Sequence, residues 1–409
     1  MPIKHHLQIK KTFRQAFGLF VALTLLLSGC AAPLQATLKQ SGTIRCFQEQ
    51  NRPEGKTSCE LSAAVRVDNT VVFTNDKPIP GNGKSPVFSL SLSQQENNTA
   101  HPVYALDTKH ISYFAEPAFN NASKLESLTV TPDGKWVVAA TGFDRYKPGQ
   151  EGYNTLLAWP AEDWHAVKTV ISPSQGPDAK DSVSLREKFK QVLGGSEYFK
   201  IEGLAAIPAK DGSGQGRLLF GVRETGADYK NPNHVIQIIQ AGYHISGDKR
   251  LQLHDDFKLV ADYTDQLKSA HPDKHTLGLS SIEYDQYHDR LYLLTSYEEV
   301  NAEEPPPESL GAYLWTLPLA DLGKTGSSPQ PILVDPASCQ QPKTNGKPLE
   351  SCPLEFKSHK AEGLAVLDSK QILVVFDDDR VKTQVQSEDG QQHERKPESE
   401  SGYEIIELH

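Results

Sequence analysis

Positive charge is scarce in this chain: 42 Lys and Arg stand against 52 Asp and Glu in 409 residues, a net charge of −10. No basic stripe interrupts that surplus, so phosphate backbones are repelled and nucleic acid is excluded as a partner. Divalent cations or cationic ligands are better matched. G-x-G-x-x-G, Walker, H-E-x-x-H and G-x-S-x-G patterns are all absent. The chain therefore has none of the usual nucleotide loops, zinc-protease helices or serine-hydrolase elbows. The apolar run from Phe17 to Leu27 is too short to span a bilayer. Cysteines number only five.

What the chain does have is a repeated two-part phrase, a short strand followed by a turn and a more apolar strand. It is clearest in Lys200-Ile-Glu-Gly-Leu-Ala-Ala-Ile207 followed by Arg217-Leu-Leu-Phe-Gly-Val-Arg-Glu224. Lys124-Leu-Glu-Ser-Leu-Thr-Val130 with Lys135 to Ala140, and Lys360-Ala-Glu-Gly-Leu-Ala-Val366 with Gln371 to Phe376, repeat it. Two degenerate copies carry Ser62 and Ser280 in place of the glutamate. Anchor positions 62, 126, 202, 280 and 362 recur at intervals of 64 to 82 residues. Further β-branched runs bounded by Gly, Pro and Asn follow each copy, which makes about four strands per repeat. Radial repetition of such units predicts an all-β fold, a β-propeller, with five blades favoured and six as the alternative. The last blade lacks an outermost strand, and Ser41 to Phe47 is expected to supply it and latch the ring.

The expected domain organisation is a signal peptide over 1–29, a lipidated tether over 30–40 and one propeller over 41–409. Lys4, Lys10, Lys11 and Arg14 form a positive n-region before the apolar run. Leu27-Ser-Gly-Cys30 resembles the bacterial lipobox, which implies cleavage before Cys30 and acylation of its sulfur. Ala31, rather than Asp, follows the cysteine, which by the same resemblance favours the outer membrane, with the body facing the periplasm or the cell surface. Acyl chains would tether the propeller without spanning the bilayer. Cleavage would leave 38 basic against 52 acidic residues, a net charge of −14. Cys46, Cys59, Cys339 and Cys352 then remain, an even number for an oxidising space. Of three possible pairings, the local Cys46–Cys59 and Cys339–Cys352 are the simplest. Ser184-Leu-Arg-Glu187 has a capping-box pattern and opens a helix expected over one mouth of the ring. Glu303 to Glu308 reads as a stiff exposed loop, and Lys382 to Ser401 as a mobile polar one.

Innermost strands line a propeller's channel, so Glu126, Glu202 and Glu362 should converge, with Asp377 at the end of a second strand. Oxygen ligands of this type suit calcium. The competing and stronger reading is structural: Lys124, Lys200 and Lys360 each lie two residues before a Glu, and interblade Lys–Glu pairs would explain the pattern. The Glu-Gly-Leu-Ala phrase at 202–205 and 362–365, with a second strand ending in Arg or Asp, resembles the phytase-like (esterase-like) group of bacterial propellers. The resemblance implies a calcium-containing channel and, in some members, phosphoester hydrolysis. Ser127 departs from the phrase, as do the copies at 62 and 280. Two functions are therefore expected. The first is a lipid-anchored envelope module that binds or scaffolds an unknown protein or small molecule. The alternative is a calcium-dependent phosphoesterase in which Arg145, Arg223 and Arg380 hold an anionic group.

Overall fold

The computed structural model describes residues 33–47, 58–79, 81–95, 103–171, 181–209, 216–270, 275–299, 306–334, 352–379, 381–387 and 390–409. Within them the chain forms a five-bladed propeller. The innermost strands of blades 1 to 5 are Leu61–Val67, Leu125–Val130, Tyr198–Ile207, Gly278–Asp285 and Ala361–Val366. Each packs beside the next, and the fifth packs beside the first, so the ring is closed.

Each blade's second strand is squeezed between neighbouring blades on both faces, and its sequence shows it. Trp136–Thr141 and Gln371–Phe376 are buried at every position. An alternating pattern would leave one face polar, whereas a doubly covered strand reads as a continuous apolar run. Five apolar clusters result, one at each blade junction. At the junction of blades 2 and 3, Phe189 lies within 5.0–6.0 Å of the rings of Phe143, Phe199 and Phe220. Phe189 belongs to the helix Val183–Val192, which is thus a packing element wedged into that junction. Its N-cap is Ser182 rather than Ser184. The Ser182 hydroxyl is already engaged, donating to Val170 O at 2.5 Å and accepting from Leu156 N at 2.9 Å, so the expected capping box does not form.

Closure comes from the N-terminus as expected, but the strand is longer. Gln35–Arg45 pairs antiparallel with Glu400–Leu408 along its whole length. Residues 35–40 therefore belong to the ring and not to a tether. Cover is uneven along this strand: Ala36 and Gly42 to Ile44 are buried, while Leu38 is 56% exposed. That weak pattern reads as polar linker. Leu333–Val334 adds in parallel beyond this strand and pairs with Cys352–Pro353. Cys46 and Cys59 form the expected disulfide, with Cα atoms 5.6 Å apart, joining the closing strand to blade 1. A bond of this kind is the mark of an oxidising, non-cytoplasmic compartment. Cys352 is also disulfide-bonded; Cys339 and the lipobox Cys30 lie outside the described residues, as does 300–305 of the proline-rich loop.

The segment 382–401 differs from its polar appearance. It holds a two-stranded ribbon, Gln384–Gln386 against Gln392–Glu394, and a fully buried Arg395. The Arg395 guanidinium donates to the carbonyls of Asp379, Val381 and Glu400 at 2.6–3.0 Å. One arginine thus satisfies three backbone acceptors in place of apolar packing.

Candidate functional site at the hub

Every innermost strand carries a register shift at the same place, the anchor position. The shifts fall between Leu61 and Ala63, Leu125 and Ser127, Ile201 and Gly203, Leu279 and Ser281, and Ala361 and Gly363. Ser62, Glu126, Glu202, Ser280 and Glu362 are therefore bulge residues left out of the ladder, and a bulge re-aims a side chain. All five are buried. The glycine after the glutamate is there for blade approach. A Cβ on Gly363 would lie 2.3 Å from Val375 Cγ2 and 2.9 Å from the Ala63 carbonyl carbon, and one on Gly203 would meet Ile282 of blade 4 at 2.8 Å.

The bulges gather a ring of ion pairs. Lys200 of blade 3 binds Glu202 beside it and reaches back to Glu126 of blade 2 at 3.2 Å. Lys124 of blade 2 pairs with Glu126 at 3.2 Å and Asp144 at 3.8 Å, and reaches Asp76 of blade 1 at 3.9 Å. Lys360 of blade 5 pairs with Glu362 at 2.9 Å and Asp379 at 3.1 Å, and reaches Glu298 of blade 4 at 3.9 Å. In each case the lysine ties its own bulge glutamate to an acid of the preceding blade.

Blades 1 and 4 break the pattern and compensate. Blade 4 has Gly278 and Ser280 where the others have Lys and Glu. The space is filled by Arg223 of blade 3, whose Cγ would lie 2.8 Å from a Cβ on Gly278. Its Nη1 donates to Ser280 Oγ at 2.6 Å and Ser296 Oγ at 2.8 Å, with Glu202 at 3.3 Å. Blade 1 inverts the sign, with Glu60 at the lysine position, and Lys77 supplies the cation at 2.6 Å from Glu60 and 2.5 Å from Asp76.

Burial and charge then divide the carboxylates. Burial opposes ionisation of Glu126, but Lys200 and Lys124 outweigh it and hold the carboxyl well below its usual range. Burial also lowers Lys200 and Lys360, yet the surrounding carboxylates push both well above an ordinary lysine. Elsewhere acids outnumber cations. Burial, with Glu126 adding, raises Asp76 to about 6; burial against Lys360 leaves Glu362 at about 7. Asp377 is pushed well above the carboxylate range by burial and by Asp379 and Glu362.

Among the described residues, the carboxylates whose oxygens lie within 4.8 Å of one another are Glu60, Asp76 and Asp377. Of the four candidate calcium ligands only Asp377 is in that group; Glu126, Glu202 and Glu362 are each held by a lysine. Glu60 and Lys77 carried no repeat signal, although Glu60 stands at the lysine position two residues before an anchor. Of the candidate anion-binding arginines, Arg223 is buried with Nη1 committed as above. Arg145 is partly exposed, paired with Asp144 at 2.9 Å and stacked 4.6 Å over Tyr153. Arg380 lies outside the described residues.

No family model matches this chain, and no curated protein matches it. Among solved structures it is similar to a member of the DUF4221 family from Bacteroides vulgatus. That match has 6% identity, covers 92% of this chain and 99% of the other, and has a TM-score of 0.36. Pseudomonas fluorescens PhoX in complex with vanadate is similar at 8% identity, 92% and 95% coverage and TM-score 0.35. A Bacillus megaterium levansucrase mutant follows at 12%, 88% and 81%, and 0.34. Likenesses this distant transfer no activity.

Two exposed tyrosines stand at the same end of the ring as the ion pairs. Tyr146 is 46% and Tyr229 69% exposed. They sit in the loops that leave the second strands of blades 2 and 3, just beyond Asp144 and Glu224.

Proposed function

We propose that this protein is an envelope binding module, tethered through lipid on Cys30, that engages its partner at the mouth carrying Tyr146 and Tyr229. The observation that carries this reading is the ion pairing across the hub. Each bulge glutamate is held by a cation of the chain itself, so the ring serves to stitch blades together. A rigid ring with variable loops is a platform for recognition, and exposed tyrosines give large contact area at low entropic cost.

A calcium-dependent phosphoesterase is the second reading, favoured by one observation. Glu60, Asp76 and Asp377 form an oxygen-only donor set, and Asp76 Oδ1 is buried without a hydrogen-bond partner. These three would hold the ion, and bound calcium would polarise a phosphoester. Arg145, now paired with Asp144, is the arginine this reading would assign to its anionic oxygens. Lys77 already places a positive charge beside two of the three ligands, which weakens the case for the metal.

Calcium titration followed by melting temperature separates the two, alongside hydrolysis of p-nitrophenyl phosphate. The binding-module reading expects no calcium-dependent rise and no hydrolysis. A large rise lost in Asp76→Asn with Asp377→Asn, accompanied by turnover, would establish the enzyme instead.

A further inference from the structure

A cavity of about 790 Å³ opens between blades 3 and 4, at the end of the ring opposite the ion pairs. Its volume falls within the roughly 300–1,000 Å³ usual for small-molecule sites. Arg217, the second residue of the blade-3 strand Gly216–Gly226, lies in its wall. The guanidinium is fixed by two neutral acceptors: Nη1 donates to the buried Gln240 Oε1 at 2.9 Å and Nη2 to Pro208 O at 3.2 Å. Its Nε–H is buried and has no acceptor. Among the described residues no carboxylate pairs with it, in a chain with 52 acidic residues.

An arginine so placed is preorganised for an anion, because two of its five N–H donors hold the fork while its charge and the second N–H of Nη1 and of Nη2 stay unspent. Lys258 lines the same cavity. Asp256 and Asp289 also line it, but each is engaged elsewhere: Asp256 accepts from Gly242 N at 2.8 Å, and Asp289 from the Tyr284 hydroxyl at 3.0 Å. Among the described residues the wall carries two cations against two carboxylates already accepting hydrogen bonds, which suits a monoanion and disfavours the dianion that phosphate forms above neutral pH. Val260, Leu319 and Leu322 supply apolar wall for a hydrocarbon body.

We infer that the cavity between blades 3 and 4 binds a small monocarboxylate with an apolar body, its carboxylate on Arg217 and Lys258.

Saturation-transfer NMR on the intact protein tests this with hexanoate as the probe, and with hexanamide and inorganic phosphate as comparisons. Hexanoate should bind at roughly 10 mM or below, within reach of a few kcal/mol of contact, while hexanamide and phosphate should not. Arg217→Gln should weaken hexanoate about tenfold or more, the cost of losing a charged hydrogen bond. The exposed Lys258→Glu, which leaves the fold's interior untouched, should weaken it severalfold and keeps the test decisive if Arg217→Gln fails to fold. Failure of hexanoate to bind, equal binding of hexanamide, binding of phosphate in its place, or unaltered binding in Lys258→Glu would each overturn the assignment.

Discussion

Replacing Lys200 by Met is the most direct probe of the hub. The ammonium sits 3.2 Å from Glu126 Oε1 and contacts Glu202 as well. At that distance an effective dielectric near 20 gives about 5 kcal/mol of attraction per pair, offset by the cost of burying a lysine. Its removal leaves Glu126 with Lys124 at 3.2 Å and Glu202 with Arg223 at 3.3 Å, two buried acids each short of one cation, for about 3–5 kcal/mol. At about 2 °C per kcal/mol for a large domain, the melting temperature should fall by about 6–10 °C at pH 8. The pH dependence carries the reasoning. In the native protein Glu126 is depressed, so its contribution is present above the ordinary carboxylate range and is lost as pH falls. Without Lys200 one of the cations that oppose burial is gone and the Glu126 carboxyl moves up from its depressed position, so the gap to the native protein should narrow as pH falls. Adding Glu126→Gln to Lys200→Met should recover at least half of the loss at pH 8. Thermal unfolding at pH 8, 6.5 and 5 reads all of this. A loss of under about 2 °C, or one that stays constant with pH, would refute the account of the hub as blade stitching.

Three further outcomes are expected. Cys46→Ser with Cys59→Ser should cost about 3 kcal/mol, read by urea unfolding, because the bond closes a 13-residue separation between the closing strand and blade 1. Glu362 has a raised folded pKa of about 7, so it erodes stability as pH rises from the ordinary carboxylate range to about 7. Glu362→Gln should remove that erosion, with a flatter melting profile between pH 5 and 8 and a gain of about 1–3 kcal/mol at pH 8, since Lys360 retains Asp379. Gly363→Val should lower stability by more than about 2 kcal/mol in the same assay, through overlap with Val375 and the backbone of Ala63.

The blade count, the place of each inner and second strand, and the Cys46–Cys59 bond were legible in the amino-acid order. All three are local signals: a second strand covered on both faces must be apolar throughout, and the repeat announces itself at each turn of the ring. The convergence of Glu126, Glu202 and Glu362 near one axis followed from the same repetition. Tertiary structure alone decided which cation serves which acid. The bulge at each anchor turns the glutamate out of the simple alternation that spacing implies. Arg223 fills blade 4 because Gly278 leaves it room, and that vacancy has no pattern of its own. Ring closure brings Asp377 beside Glu60 and Asp76, about three hundred residues earlier, and lets a half-covered strand at Gln35–Arg45 pass for a linker. Apolar periodicity records which face of a strand is buried. It carries no record of which neighbour does the burying, and at this hub the neighbour determines the charge.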